Sequence, residues 1–381
     1  MGLIKHLGDG PIALAEPIPI WNMTKDHTLR VGVIGTGIMG ADHVETITRA
    51  VSGAKICAVA DIDPKRAEAA AARVPGAKAF ASAELLIEAP DVDAVIIASS
   101  DATHAQYVTA CISVRKPVLC EKPLAPTVAE CEEILRLEQS AAVRLAQVGF
   151  MRRFDPGYIE LRRRIASGEV GTPVLAHCVH RNVDVPPGWT SETTVVSAAS
   201  HEIDVMPWVL GREIIRVSWL SPRQTPPTPL RDPQVVIMEL EDNALVFDEL
   251  FMRSGYGYEI RCEVVGTAGT IELAPTARVV TRSRLKVSGD FPPDWRGRFA
   301  DAYRRELQTW VDAVTRWRSG DDKSTMGPVD GPDAWDGYRA ALVAETVLVS
   351  MRQGAPVVVE AMPGPELYKP YRGSSAKSGN G

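Results

Sequence analysis

One short segment constrains this chain more than any other: Gly35-Thr36-Gly37-Ile38-Met39-Gly40. It follows Arg-Val-Gly-Val-Ile at Arg30 to Ile34, apolar and short as a buried strand should be. A helical pattern opens after it, from about Met39 to Ala50. In that strand–loop–helix order each glycine has a physical reason. Gly35 permits a tight turn, Gly37 lets the backbone approach a pyrophosphate, and Gly40 allows the helix to pack closely. The first helical N–H groups, around Ile38 and Met39, then face the phosphates. Asp61 comes 21 residues after Gly40 and ends the second strand. An acidic side chain there bonds adenine-ribose hydroxyls and repels a 2′-phosphate, so NAD is favoured over NADP.

The rest of the first 150 residues repeats the alternation. Strands are expected at Ile56 to Ala60, Ala94 to Ala98, Pro117 to Cys120 and Arg144 to Val148, with helices at Pro64 to Arg73, His104 to Ser113 and Val128 to Ser140. Near-continuous apolar strands separated by helices point to a parallel sheet covered on both faces, a Rossmann-type α/β domain over 30–150. The pattern then changes. Short helices at Leu161 to Ser167 and Ser197 to Leu210 lead into consecutive strand-like runs from Glu213 to Leu273, and two helices follow at Phe299 to Arg318 and Asp333 to Arg352. That is an α+β domain over 151–363, with a large open, mainly antiparallel sheet. Residues 1–29 read as an extended N-terminal arm, and 364–381 as a flexible tail.

Composition excludes several classes. Lys plus Arg is 42 against 48 for Asp plus Glu, a formal charge of −6. This mild acidity gives no support to a nucleic-acid partner, which a basic face would announce. No apolar stretch approaches the roughly 18–20 residues of a membrane span. The six cysteines form no Cys-x-x-Cys pair and sit mostly in apolar runs, as buried reduced thiols of a cytoplasmic protein do. His177 and His180 share a strand-like run but on opposite faces, which argues against a shared metal. The scattered tryptophans read as core or interface. Arg162-Arg163-Arg164 reads as a solvated helix face.

Two further phrases stand at strand ends: Ala98-Ser99-Ser100-Asp101-Ala102-Thr103-His104 and Cys120-Glu121-Lys122-Pro123-Leu124. With the glycine loop, and with Gly149 to Asp155, His180-Arg181-Asn182, His201-Glu202-Ile203-Asp204 and Gly266 to Thr270, the chain resembles the Gfo/Idh/MocA oxidoreductases over roughly residues 30 to 360. The phrases are most similar to those of inositol 2-dehydrogenases. The resemblance implies an NAD-dependent enzyme that oxidises a secondary alcohol of a cyclitol or sugar. It places Ser99, Ser100, His104, Glu121 and Lys122 beside the cofactor. Lys122 matches the family's catalytic lysine, and His201 its catalytic histidine, a group that titrates near neutrality and can take a hydroxyl proton. Arg152 and Asn182 match substrate-binding positions, and Tyr258 is expected in the same pocket. Relatives of this kind also imply a homodimer or homotetramer. Two other outcomes stay open within the resemblance. One is a sugar-active enzyme that uses bound NAD transiently for elimination or glycoside cleavage. The other is a non-catalytic NAD(P)-sensing regulator.

One position departs from the inositol enzymes, which carry an Asp four residues before the histidine. Here it is Ser197, in Ser197-Ala198-Ala199-Ser200-His201. Serine hydrogen-bonds but carries no charge. The change removes a carboxylate that would raise the His201 and Lys122 proton affinities and would clamp a polyol. Asp184 and Glu192, upstream, are the acids that could compensate. Pro207 falls inside the same helical pattern, where proline costs a backbone bond.

Overall fold

Six parallel strands form the first sheet of the computed structural model, which describes residues 28–223, 228–274, 279–320 and 326–368. In chain order they are β1 (Leu29–Ile34), β2 (Ala54–Ala60), β3 (Lys78–Phe80), β4 (Ala94–Ile97), β5 (Val118–Glu121) and β6 (Ala146–Gly149), laid side by side as β3-β2-β1-β4-β5-β6. β4, β5 and β6 are buried along their whole length. That is why they read as continuous apolar runs rather than alternating ones. The order reverses between β1 and β4, where Val33 pairs Ile96. A doubly wound sheet leaves a crevice at that point, beyond the strands' carboxyl ends.

The connecting helices are α1 (Ile38–Ala50), α2 (Pro64–Ala71), α3 (Ala83–Glu88), α4 (His104–Ser113) and α5 (Val128–Ala141). Their starts are chemically marked. Asp63 accepts from Lys65 N ahead of Pro64, and Thr127 and Glu130 form a reciprocal capping box. The element pair β3 and α3 had no sequence signal: one is a three-residue edge strand, the other six residues long.

The second sheet has seven strands in the order β12-β11-β7-β10-β9-β8-β15. They are β7 (Pro173–Arg181), β8 (Ile214–Leu220), β9 (Gln234–Leu240), β10 (Leu245–Phe251), β11 (Glu259–Gly266), β12 (Gly269–Glu272) and β15 (Val357–Val358). β13 (Val280–Ser283) and β14 (Lys286–Gly289) make a separate exposed hairpin. The large sheet is antiparallel except where β7 runs parallel to β10. Its inner residues, such as Ala176, Cys178, Val236, Met238 and Val246, are buried. Helices α6 (Pro156–Ala166), α8 (Ser200–Leu210), α9 (Trp295–Ser319) and α10 (Ala334–Gln353) complete this half. The opposite face carries Val174, Leu245 and Phe247, all exposed.

Two details bear on the site. A short helix α7 (Ser191–Thr193) runs through a π-helical stretch, Thr194–Ala199, into α8. The helix therefore begins six residues before the expected Ser197, and Pro207 lies within α8. The cysteines are free, and all but Cys57 are buried. The arm expected at 1–29 and the tail expected at 364–381 fall, for 1–27 and 369–381, outside the described residues. No described helix is long and apolar enough to cross a membrane.

Candidate active site

The loop after β1 has the shape a dinucleotide needs. Gly35 sits at φ +86°, and a Cβ there would lie 2.5 Å from the Ala98 carbonyl oxygen. A Cβ on Gly40 would lie 1.8 Å from the Gly35 carbonyl oxygen, so only glycine lets α1 start this close. Gly37 is different, for a Cβ there meets nothing within 4 Å. Its missing side chain serves no internal packing and leaves the backbone open to a ligand. Gly37 also caps α1 without a side-chain hydrogen bond, so the first N–H groups of α1 keep their donors for an anion. These observations fit the pyrophosphate of a dinucleotide. Asp61 closes the cradle: its carboxylate accepts from Thr36 N and Thr36 Oγ1, both at 2.8 Å. It also accepts from Asp63 N and Arg66, and these bonds hold it below the usual carboxylate range against the upward push of burial.

The loops after β4 and β5 are tied together across the switch point. His104 at the start of α4 meets the Pro123 carbonyl oxygen through Nδ1 at 2.6 Å and the Ser99 carbonyl oxygen through Nε2 at 3.3 Å. Ser99 Oγ bonds Thr103 Oγ1, whereas Ser100 is exposed and receives Thr103 on its carbonyl. Buried Glu121 bonds His43 Nε2 at 2.7 Å. Burial pushes the Glu121 carboxyl up, but His43 and then Lys122 outweigh it and keep it low. His43, on α1, is thus the anchor of the Glu121 carboxylate.

A cavity of about 320 Å³ opens where these loops meet the second sheet. Met39, Ser99, Asp101, His104, Glu121 and Lys122 line it from the nucleotide side. Asn182, Ser197, His201 and Tyr258 line it from the other, so the expected Lys122, Asn182, Ser197, His201 and Tyr258 do converge. Lys122, before a cis Pro123, donates from Nζ to the Ser197 carbonyl oxygen (3.1 Å) and to Ser197 Oγ (3.3 Å). The π-helical stretch is what presents that carbonyl; Ser200 Oγ donates to the same oxygen at 2.9 Å. Such stretches recur at functional sites. Burial lowers the Lys122 ammonium from its ordinary range, opposed by Glu121 and Asp101. The His201 imidazole is driven well down by burial, then by Arg152 and Lys122, and its Nδ1 is buried without a partner. These effects favour the neutral imidazole.

Arg152 needs correction. It does not line the cavity but lies buried behind its wall. Its guanidinium is engaged by Glu202 and by His180 Nδ1 at 3.3 Å. Nor do the candidate compensating acids reach the cavity. Asp184 is exposed beside Arg253, and Glu192 is exposed on α7. Sequence reasoning also passed over other wall residues, among them His180, Trp189, Trp295 and Tyr303. The signal for His180 was present, since strand alternation places it inside when His177 is outside, as observed. Trp189 and Trp295 carried none, because a lone tryptophan in a loop or at a helix start looks the same whichever way it points. Among the described residues no cluster of ligating side chains could hold a metal ion.

Comparison with known proteins agrees with this architecture. The profile of the Gfo/Idh/MocA oxidoreductase family matches twice: its NAD-binding Rossmann fold over residues 29–150 and its C-terminal alpha/beta domain over 162–359. The chain is 43% identical over 345 residues to an inositol 2-dehydrogenase of Saccharopolyspora erythraea, covering 90% of this chain and 99% of that one. It is 42% identical to an inositol 2-dehydrogenase of Streptomyces avermitilis, covering 89% of this chain and 97% of that one. Among solved structures, the myo-inositol dehydrogenase of Lactobacillus casei in complex with NAD(H) and myo-inositol is similar at TM-score 0.84 and 31% identity, covering 90% of this chain and all of that one.

Proposed function

Because the chain belongs to the Gfo/Idh/MocA oxidoreductase family, we propose that it oxidises a secondary alcohol on a polyhydroxylated ring, a cyclitol or sugar, with NAD as acceptor and with Lys122 and His201 handling the proton. The observation that carries this reading is the meeting of Lys122 and His201 in one cavity at the mouth of the glycine cradle. NAD bound there supplies the hydride acceptor. Gly35, Gly37, Gly40 and the first N–H groups of α1, at Ile38 and Met39, hold its pyrophosphate, and Asp61 holds the adenine ribose. Asp61 also disfavours NADP, because a 2′-phosphate would face its carboxylate.

The chain's own residues then do three things. Lys122 keeps one N–H beyond its two bonds to Ser197, and it gives that donor to the reacting oxygen. Negative charge develops on that oxygen as its proton leaves, and a positioned cation stabilises it until the hydride departs with its electron pair and the C=O bond forms. Neutral His201 accepts the hydroxyl proton. Asn182 and Tyr258 fix the ring, while Arg152 acts through Glu202 and His180 as a positioning residue rather than as a contact. Trp189 and Trp295 offer flat apolar walls to the ring's C–H faces, Trp189 being held by its Nε1–H bond to Thr194 Oγ1 at 2.9 Å.

The test is NAD reduction by purified protein, followed for Lys122→Met and His201→Asn. Each variant is expected to lose on the order of 10²–10⁴-fold in kcat while NAD still binds. A variant within a few-fold of the unchanged protein would remove its residue from the proton path. The exposed apolar face of the second sheet, with Leu245 and Phe247, supports a homodimer or homotetramer. Light scattering that gives the 41.3 kDa monomer would refute that.

A further inference from the structure

The cavity's two walls differ in hydrogen-bonding character. Both carboxylates among its described lining residues, Asp101 after β4 and Glu121 at the end of β5, stand on the nucleotide side. Glu121 is engaged by His43, and Asp101 is exposed. The wall built from residues 151 onward is Met151, His180, Asn182, Trp189, Ser197, Ala198, His201, Tyr258, Trp295 and Tyr303, and none of these is acidic. Glu202 and Asp248, the nearest acids behind that wall, are buried in the protein. Glu202 is committed to Arg152 and His180. Asp248 has neither oxygen bonded, and burial followed by the Glu202 charge raises its carboxyl well above the ordinary range, toward the neutral form.

Ser197 is the hinge of this asymmetry. Its Oγ accepts from Lys122 Nζ at 3.3 Å, which directs the hydroxyl proton of Ser197 away from Lys122. The Ser197 carbonyl oxygen already accepts from Lys122 and Ser200. Lys122 Nζ–H and Ser197 Oγ–H are therefore adjacent donors that meet from the two walls, and the wall of Ser197 brings no carboxylate to them. A neutral polyol hydroxyl donates as well as accepts, and beside the reacting hydroxyl, whose proton goes to His201, the nearest carboxylate, Glu121, is already engaged by His43. A carboxylate only accepts.

We infer that the ring this enzyme oxidises carries a carboxylate next to the reacting carbinol, with Ser197 as the specificity-determining residue. The inference rests on the reading of the cavity as a ring-alcohol dehydrogenase. The reacting oxygen takes the remaining Lys122 N–H, and the neighbouring carboxylate takes Ser197 Oγ–H and shares the field of the same ammonium. A carboxylate fits better than a phosphate, because one lysine compensates a single charge and not two. Oxidised NAD, when bound, would add a further positive charge, in the same favourable sense.

The experiment compares matched pairs under saturating NAD: glucose with glucuronate and galactose with galacturonate, with myo-inositol as a further neutral ring and glucose 6-phosphate as the phosphate arm. The unchanged protein is expected to show kcat/KM on the order of tenfold or more higher for the carboxylated member of at least one pair, as a charge-assisted bond outweighs a neutral one. Ser197→Ala should cut that ratio about tenfold, and Ser197→Asp should invert it, since two carboxylates would then face each other. The wild-type ratio needs no variant, so a Ser197 variant that fails to fold cannot hide the answer. NADH formation with the neutral members at equal or higher kcat/KM overturns the carboxylate inference and leaves the dehydrogenase reading standing. Preference for the phosphate arm also overturns it. No NADH from any member, with NAD bound, overturns the dehydrogenase reading and the inference with it.

Discussion

Replacing Glu202 by glutamine tests whether the cavity's rear wall is an ion pair that must stay whole. Glu202 and Arg152 are each about 1% exposed and bonded to one another, with His180 Nδ1 at 3.3 Å from both. Burial disfavours the Arg152 charge, and the Glu202 carboxylate more than offsets it. Glutamine keeps the shape and an acceptor but leaves the guanidinium uncompensated. Breaking such a pair costs about 3–5 kcal/mol. Unfolding entropy of about 2.1 cal/mol/K per residue, over roughly 340 residues, turns that into a melting-point drop of about 4–7 °C. Asp248→Asn is the matched control. Asp248 is equally buried but has no partner on either oxygen and is pushed toward its neutral form, so its amide should cost less than about 1 kcal/mol. Differential scanning calorimetry of the NAD-free proteins reads both. A Glu202→Gln drop below about 1 °C, or one no larger than that of Asp248→Asn, would refute the argument that the pair is held by charge.

Gly37→Ala should melt like the unchanged protein yet lose NAD affinity by tenfold or more, because its Cβ meets only the ligand's space; isothermal titration with unchanged affinity would contradict this. Gly40→Ala should instead destabilise the apo-protein, since its Cβ meets the Gly35 carbonyl oxygen. Activity should keep its acid-side plateau to below pH 6.5, the ordinary histidine value, because His201 releases its proton well below it; a kcat/KM limb falling at or above 6.5 would contradict a neutral His201 base. Glu138 gives a stability prediction. Burial raises its carboxyl from 4.5 to about 7, though Tyr368 and the Leu145 and Ala146 amides bond it. A raised folded value means its contribution is intact below 4.5 and lost as pH rises through 7, by up to about 3 kcal/mol. Glu138→Gln should therefore gain more melting temperature above pH 7 than below 4.5, and an equal gain at both would count against it.

Much of the nucleotide half was legible because its strands are buried on both faces and its helices open with strong caps. His104 to Ser113 was read to the residue, whereas α6 begins at Pro156, earlier than expected, because Asp155 caps it and Pro156 occupies its first position. The second sheet could be read as open and mainly antiparallel from its consecutive strands. The parallel pairing of β7 with β10 could not, because it depends on a long-range register, Ala176 with Val246, that no local pattern encodes. The site divides the same way. Lys122 and His201 were visible through the phrases around them. The diversion of Arg152 to Glu202 was not, because that depends on which way a buried side chain turns. The π-helical stretch was also invisible: Thr194 to Ala199 has no residue that forbids an ordinary α-helix.

The central claim is that hydride leaves a ring carbon and stays on free NAD. The most direct test oxidises a ring polyol to completion and counts released NADH against ring ketone by mass spectrometry. This account predicts one NADH for each ketone formed. Product without accumulating NADH would contradict it and would mark the cofactor as a recycled catalyst.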